Sequence, residues 1–412
     1  MEDNKKTLLF ISDHAMSHSG VGIQSRFLIE GLVATGKYRI LQLGTAIKHK
    51  SLETVYVNKD FIIKPINGFG DKNLIRSVLI NDKPDCIVII QDPRFFTYLF
   101  EIENEVRSIC PIMWWHVWDN YPYPEFNEWM YESVDTINCH SYLTYEICSK
   151  KFEEKSNFIP HTIPDDYFYK LDKNLVKKEK LRILGEDKKD KFVCLWVNRN
   201  CLRKRPADVL LSWKIFSDEV GQENCHLIMH TNPTDKAGMN LLEVAKSLDL
   251  FDCVSFSTEI LDFKMMNVLY NIADVTLNIS FNEGFGLTTL ESMYSGTPIV
   301  ASKTGGLIRQ VVDCNDGSSN GVALDIDVKT LEGNHEVLYI YEDYVSCENV
   351  SKGLLEIYRM NDVEKKDLSM KVSRYARKEF NHDQMVNSWD KSIEDTIDKF
   401  DDDKKSIGVV YL

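Results

Sequence analysis

Residues 273–306 read ADVTLNISFNEGFGLTTLESMYSGTPIVASKTGG. The apolar run from Val275 to Ile279 has the length of a buried strand. The loop after it carries Gly284 and Gly286, which have no Cβ and so let the backbone approach a ligand closely. A helix is predicted from Leu287, stopped by Ser295, Gly296, Thr297 and Pro298, and TPIVASK then supplies a second strand. Strand, glycine loop, helix and strand together make the βαβ unit of a parallel sheet. The unpaired amides of the helix's first turn point beyond the strand ends. Hydrogen bonding and the helix dipole both favour a diphosphate there.

The same alternation extends to both sides. TLLFIS, YRILQLG, CIVIIQD, CPIMWWHV and TINCHS form one set of strand-length runs, and FVCLWV, CHLIMH, CVSFS, ADVTLNIS and TPIVASK form another. Continuous apolar runs between helix-length segments belong to sheets covered on both faces. The sets are separated by FIPHTIPDDYFYKLDKNLVKKEKLRILGEDKKDK, whose prolines and charge run read as an interdomain crossing followed by a surface helix. The expected fold class is therefore α/β, with doubly wound parallel sheets in two domains, 1–170 and 171–384. From Val363 to Phe400 apolar positions return every three or four residues. This pattern predicts helices that close the second domain, with a terminal helix at 385–412 returning to the first.

Composition narrows the function classes. The 412 residues are 43% apolar and 27% charged, a globular balance that excludes disorder and fibre. With 49 basic and 63 acidic residues the net charge is −14, so the surface as a whole does not attract nucleic acid or an anionic membrane. Any anion needs a local site. The ten cysteines include no CxxC pair, which argues against a zinc knuckle and a disulfide framework and points to a reducing, cytoplasmic setting. The apolar run LLFI near the start is too short for a signal or a transmembrane segment. Oligomeric state leaves no trace in the sequence.

Two carboxylates frame the glycine loop. Glu283 precedes the helix and Glu291 lies about one turn inside it, on either side of the expected phosphates. A carboxylate accepts two hydroxyl hydrogens at once, which suits the diol of a sugar or a ribose. As plain helix-terminus acids they would contribute only about 0.3–1 kcal/mol each. In VNRNCLRKRP (197–206), directly after FVCLWV, Arg199 and Lys204 are placed to neutralise a pyrophosphate and its developing charge. Arg203 and Arg205 read as a solvated basic loop. In SDHAMSHSGVGIQSRFLIEGL (12–32), Gly20 and Gly22 form a GxG between strand and helix. Without a GxGxxG, a dinucleotide dehydrogenase is not supported. His14 and His18 are in reach of a phosphate in that loop or are surface residues.

EGFGLTTLE, with LYNIADVTLNIS before it and GTPIVASKTGG after it, resembles the donor-site signature of retaining glycosyltransferases of family four, the glycosyl transferases group 1 that resemble glycogen synthase. VNRNCLRKRP resembles that family's phosphate-binding loop, and GVG its first glycine loop. The resemblance covers roughly residues 190–315 and weakens over 45–135 and after 320. It implies a GT-B fold, two Rossmann-like domains facing each other across a cleft, with the donor mainly on the second and the acceptor on the first. Residue by residue, it implies that Glu283 binds the transferred sugar, Glu291 the ribose, and Arg199 and Lys204 the diphosphate. The amides of Gly284, Phe285, Gly286 and Leu287 would meet sugar hydroxyls and phosphate, with Gly20 and Gly22 closing from the first domain. His116, in WWHVWDN, falls where such enzymes place a histidine near the sugar, although three neighbouring tryptophans also suit a packed core. Ile279, Asn198 and Arg309 depart from the pattern, which usually has a proline, a glycine and an acid there.

The implied reaction is metal-independent, retaining transfer of a sugar from a UDP- or GDP-sugar, with no cofactor. DID (325–327) and DDD (401–403) lie away from the glycine loop and read as acidic surface turns. WWHVWDNYPYPEFNEWMY (114–131) carries eight aromatic rings that suit sugar rings or unstacked bases. The expected acceptor is a hydroxyl of a saccharide or lipid-linked saccharide. A hydroxymethylated DNA base is the alternative acceptor. The alternative activities are a non-catalytic nucleotide-sugar-binding protein and a nucleotide-sugar epimerase.

Overall fold

The structure, a computed structural model, describes residues 5–46 and 51–406. The chain divides into two compact units. The first comprises residues up to Thr162, the segment Gly333–Ile340 and residues from His382 onward. The second comprises Ile163–Glu332 and Tyr341–Asn381, so the chain crosses between Pro160 and Pro164 and the charge run after residue 170 lies inside the second unit.

In the first unit the described strands are β1 (Lys6–Asp13), β2 (Tyr38–Thr45), β3 (Val55–Asn58), β4 (Phe61–Pro65), β5 (Cys86–Gln91), β6 (Ile112–His116), β7 (Thr136–Cys139) and β8 (Ser156–Phe158). They form one sheet in the order β3-β4-β2-β1-β5-β6-β7-β8, parallel except for the edge pair β3–β4. Alternate residues of β1, β5 and β6 feed two cores. Leu9, Ile11, Ile89 and Trp114 face one side, and Leu8, Phe10, Val88 and Trp115 face the other. The second face is covered by the Gly20–Ala34 helix and by the His382–Ser406 helix, whose Trp389, Ile393 and Ile397 are buried. These helices touch so closely that a Cβ on Gly31 would lie 2.4 Å from Val386 Cγ2. Residues 407–412, placed in the terminal helix by its periodicity, lie outside the described residues.

The second unit holds β9 (Phe192–Val197), β10 (Cys225–His230), β11 (Val254–Ser257), β12 (Val275–Asn278), β13 (Ile299–Ser302) and β14 (Gly321–Leu324). The sheet is parallel, in the order β11-β10-β9-β12-β13-β14. The chain winds outward from β9 and then restarts on its other side at β12. Loops leaving these two neighbours separate and open a crevice at their carboxyl ends, the switch point at which doubly wound sheets bind ligands.

Candidate active site

The crevice is built by the loops after β9 and β12. The first is held by Asn200, which is fully buried. Its amide donates to the carbonyls of Met239 (2.7 Å), Asn232 and Pro233 (both 3.3 Å), and its Oδ1 accepts the Met239 N–H. These bonds tie the loop to the one that follows β10. Residues 202–204 make a single 3-10 turn. Arg205 then takes a left-handed conformation (φ 53°) before the Pro206–Val220 helix. A residue preceding proline is disfavoured in the right-handed helical region, and this reversal turns Lys204 inward.

Lys204 and Glu283 are both buried, and the lysine ammonium forms an ion pair with Glu283 Oε2. Ser280 Oγ donates to the same oxygen (3.3 Å), while Arg203 Nη1 stands 3.8 Å from Oε1. Burial pushes the Glu283 pKa up, but the charges of Lys204 and Arg203 outweigh it and hold the carboxyl below its usual range. The Glu283 carbonyl accepts the Gly306 N–H (2.8 Å). Gly306 has to be glycine, because a Cβ there would lie 2.4 Å from the Gly284 carbonyl oxygen. Gly286 (φ 90°) begins the Leu287–Tyr294 helix without a side-chain cap, so no side chain occupies the amides of that first turn. Further into the helix, Glu291 accepts a 2.6 Å hydrogen bond from Tyr270 Oη. Burial pushes its pKa up to about 7, only partly countered by that bond.

Arg199 is placed differently. Its side chain is 69% exposed and its guanidinium bonds Asp235, with Nε 2.9 Å from Oδ2. Phe285 is buried edge-on to Phe380, with ring centroids 5.6 Å apart. The Arg309 charge is taken up by Glu379 (2.5 Å).

At the corresponding edge of the first unit, Gly20 and Gly22 open the Gly20–Ala34 helix, where Ser19 accepts the Gly22 N–H (3.0 Å). A Cβ on Gly22 would lie 2.7 Å from the His14 carbonyl oxygen. Asp13, at the end of β1, accepts from Ser19 Oγ (2.5 Å) and Gln91 Nε2 (2.9 Å). The His14 ring is buried and its Nδ1 accepts the Met16 N–H (3.1 Å), whereas His18 is exposed. His116 ends β6, fully buried, with Nε2 2.9 Å from Tyr131 Oη and its ring 4.2 Å from that of Trp114. Burial, reinforced by His140, drives its pKa far down, so the ring is neutral.

Residues 176–344 match the model of the family described as glycosyl transferases group 1. Over 127 residues the chain is 37% identical to a D-inositol 3-phosphate glycosyltransferase of Corynebacterium diphtheriae, a stretch covering 30% of each protein. Over 190 residues it is 26% identical to a mannosylfructose-phosphate synthase of Agrobacterium fabrum, covering 44% of this chain and 40% of that one. The chain thus spans less than half the length of these curated relatives. Sucrose-phosphate synthase from Thermosynechococcus elongatus superposes with a TM-score of 0.73 at 14% identity, over 94% of this chain and 98% of that one. The fold is GT-B. A second GT-B structure, HepE of Anabaena solved with UDP and glucose, superposes with a TM-score of 0.66 at 13% identity, over 95% and 100% of the two chains.

In this GT-B chain the crevice of the second unit brings Lys204, Glu283 and the glycine-loop backbone together, with Glu291 in the helix behind. One of the expectations above is corrected. Arg203 and Arg205 are not a solvated loop. Arg203 donates to the Asn282 carbonyl (2.7 Å). The Arg205 side chain is wholly buried, donating to the Val345 carbonyl (2.9 Å) and Asp208 (2.9 Å), with its guanidinium carbon 3.9 Å from the Tyr344 ring centre. The aromatic run 114–131 is divided between core and surface, with Tyr121, Tyr123 and Phe126 half-buried. Trp114, Trp115, Trp118 and Tyr131 are buried, and Trp129 is 40% exposed. Asn200, Arg205 and Tyr270 are contributors that sequence reading missed.

The DID acids are occupied in other ways. Asp325 pairs with Lys303 (2.7 Å), and Asp327 accepts the Ser346 N–H (2.7 Å) ahead of the Cys347–Arg359 helix. Among the described residues, no helix is long and apolar enough to cross a membrane.

Proposed function

We propose that this protein is a retaining glycosyltransferase that moves a sugar from a nucleoside diphosphate sugar to a hydroxyl of a saccharide-like acceptor, without a metal ion. The observation that carries this reading is the buried Lys204–Glu283 pair beside uncapped helix amides at the switch point of a parallel sheet. The group 1 match and the sugar-transferring relatives support it. A diphosphate in the crevice meets the Lys204 ammonium and the amides of Gly286 and Leu287. Arg199 joins them by exchanging its exposed bond to Asp235 for phosphate oxygen. Glu291 accepts the ribose hydroxyls, which requires its ionised form. Glu283, kept charged by Lys204, accepts hydroxyls of the transferred sugar and stabilises the positive charge that grows on its ring.

In the reaction, the bond from the anomeric carbon to the diphosphate oxygen breaks and a bond to the acceptor oxygen forms on the same face. The acceptor proton passes to the departing oxygen, so no separate protein base is needed. The donor is a UDP- or GDP-sugar. The test is a donor-by-acceptor screen read by mass spectrometry, with the product anomer assigned by NMR. Release of nucleoside diphosphate coupled to an α-linked product from an α-linked donor is the expected result. Binding without turnover, or interconversion of free nucleotide sugars, would replace this reading with a silent binding protein or an epimerase.

A further inference from the structure

β12 and β13 begin at the opposite end of the second unit's sheet from the loops that carry Glu283. At that end a cavity of about 280 Å3 is lined by Lys170, Lys173, Lys177 and Lys365 above an apolar floor that includes Leu171 and Ile357. Its one carboxylate, Asp274, is already engaged. It accepts the Val193 N–H (2.8 Å) and lies 3.7 Å from a different lysine, Lys180. Lys170 donates to Ser369 Oγ (2.7 Å) and Lys365 sits 5.7 Å over the Phe192 ring. Among the described residues none of the four forms an ion pair. Elsewhere on this acidic surface lysines do pair, as Lys37 does with Asp390 and Glu394, Lys151 with Glu128, and Lys214 with Asp218.

Like charges gathered around one cavity repel, and a chain of net charge −14 has ample acids to relieve them. The Lys170 pKa is lowered, first by burial and then by the charges of Lys173 and Lys366. Carbonyl ends of the Phe263–Ile272 and Leu287–Tyr294 helices turn toward this side and favour cations in general. They do not hold these lysines, since the Tyr270 carbonyl accepts Thr297 Oγ1 (2.7 Å) and the Glu291 carbonyl accepts Ser295 Oγ (2.9 Å). Four ammonium groups with spare donors over a concave floor fit a group with several anionic oxygens.

We propose that this cavity binds a compound bearing a multivalent phosphate group, at a site separate from the diphosphate crevice at Lys204. A soluble phosphorylated compound and a phospholipid headgroup share this chemistry. The test uses the full chain and two probes. Calorimetry with inorganic tripolyphosphate compares the wild type, Lys173→Glu/Lys177→Glu, and Lys204→Ala/Glu283→Gln. Sedimentation with phosphatidylcholine vesicles, with and without phosphatidic acid, compares the wild type and Lys173→Glu/Lys177→Glu. Melting temperatures confirm that each variant is folded. The expected result is binding weakened about tenfold by the charge reversals and retained by the crevice variant. Sensitivity with tripolyphosphate alone assigns a soluble ligand, and sensitivity with phosphatidic acid vesicles assigns a headgroup. Charge reversals that change neither probe's binding by more than about twofold would overturn the site. So would loss of all tripolyphosphate binding in the crevice variant.

Discussion

Lys204 and Glu283, 79 residues apart in the chain, neutralise each other inside the second unit. Removing one partner of a buried pair strands the other charge, at a cost of about 3–5 kcal/mol. Lys204→Ala is therefore expected to lower the melting temperature as well as nucleotide affinity. Lys204→Ala/Glu283→Gln should recover most of the melting temperature and none of the affinity. Recovery of both by the double variant would show that the lysine does not contact phosphate.

Glu291 gives a pH signature. Its folded carboxyl keeps a proton up to about pH 7, whereas the unfolded chain releases it near 4.5. Between these values the folded state holds more protons, so this group's contribution to stability falls as pH rises through the window and stays low above it. Glu291→Gln should accordingly raise the melting temperature at pH 8, with the gain vanishing near pH 4.5. Because the proposed ribose contact needs the carboxylate, the wild-type donor KM should drop as pH rises through 7, while the glutamine variant keeps a high, flat KM. A wild-type KM that does not change across pH 6–8 would remove Glu291 from the ribose site.

Arg199 and Asp235 form an exposed pair, worth about 0–1 kcal/mol to the fold. Arg199→Ala should leave the melting temperature within a degree or two and weaken nucleoside diphosphate binding by about 1.5–3 kcal/mol. Asp235→Asn, which frees the guanidinium, should tighten binding or leave it unchanged. Calorimetry in which Arg199→Ala binds like the wild type would eliminate the exchange of Asp235 for phosphate.

In the proposed mechanism, Lys204, Arg199 and the helix amides supply the positive charge that a leaving diphosphate requires. Activity is expected to survive EDTA at full rate, measured as nucleotide release. Loss on chelation, restored by magnesium or manganese, would show that a metal shares the load.

The fold was legible wherever burial on both sheet faces made a strand continuously apolar, as in CIVIIQ (86–91) and FVCLWV (192–197). It was not legible where that cause is missing. VYVN (55–58) is exposed throughout, and β8 has only three residues. In the site, the start of the helix after the glycine loop was legible because Gly286 acts through the local backbone. The Arg205 side chain was not, since its Tyr344 and Val345 partners lie far along the chain. Pro206 was the local clue that the loop reverses there. The bond from Tyr270 to Glu291 likewise joins two separate helices and leaves no spacing to read.

The terminal helix of the first unit has a consequence for biosynthesis. A ribosome delivers β1 to β8 well before it delivers Trp389, whose ring comes to lie 5.3 Å from that of Trp115. Until then the apolar face carrying Trp115 is covered only in part, by the Gly20–Ala34 helix with its Leu28, although the strands beneath it are complete. The nascent first unit therefore waits, half-clothed, while the whole of the second is synthesised. Its closure depends on residues from His382 onward, which follow every residue of the second unit in the chain.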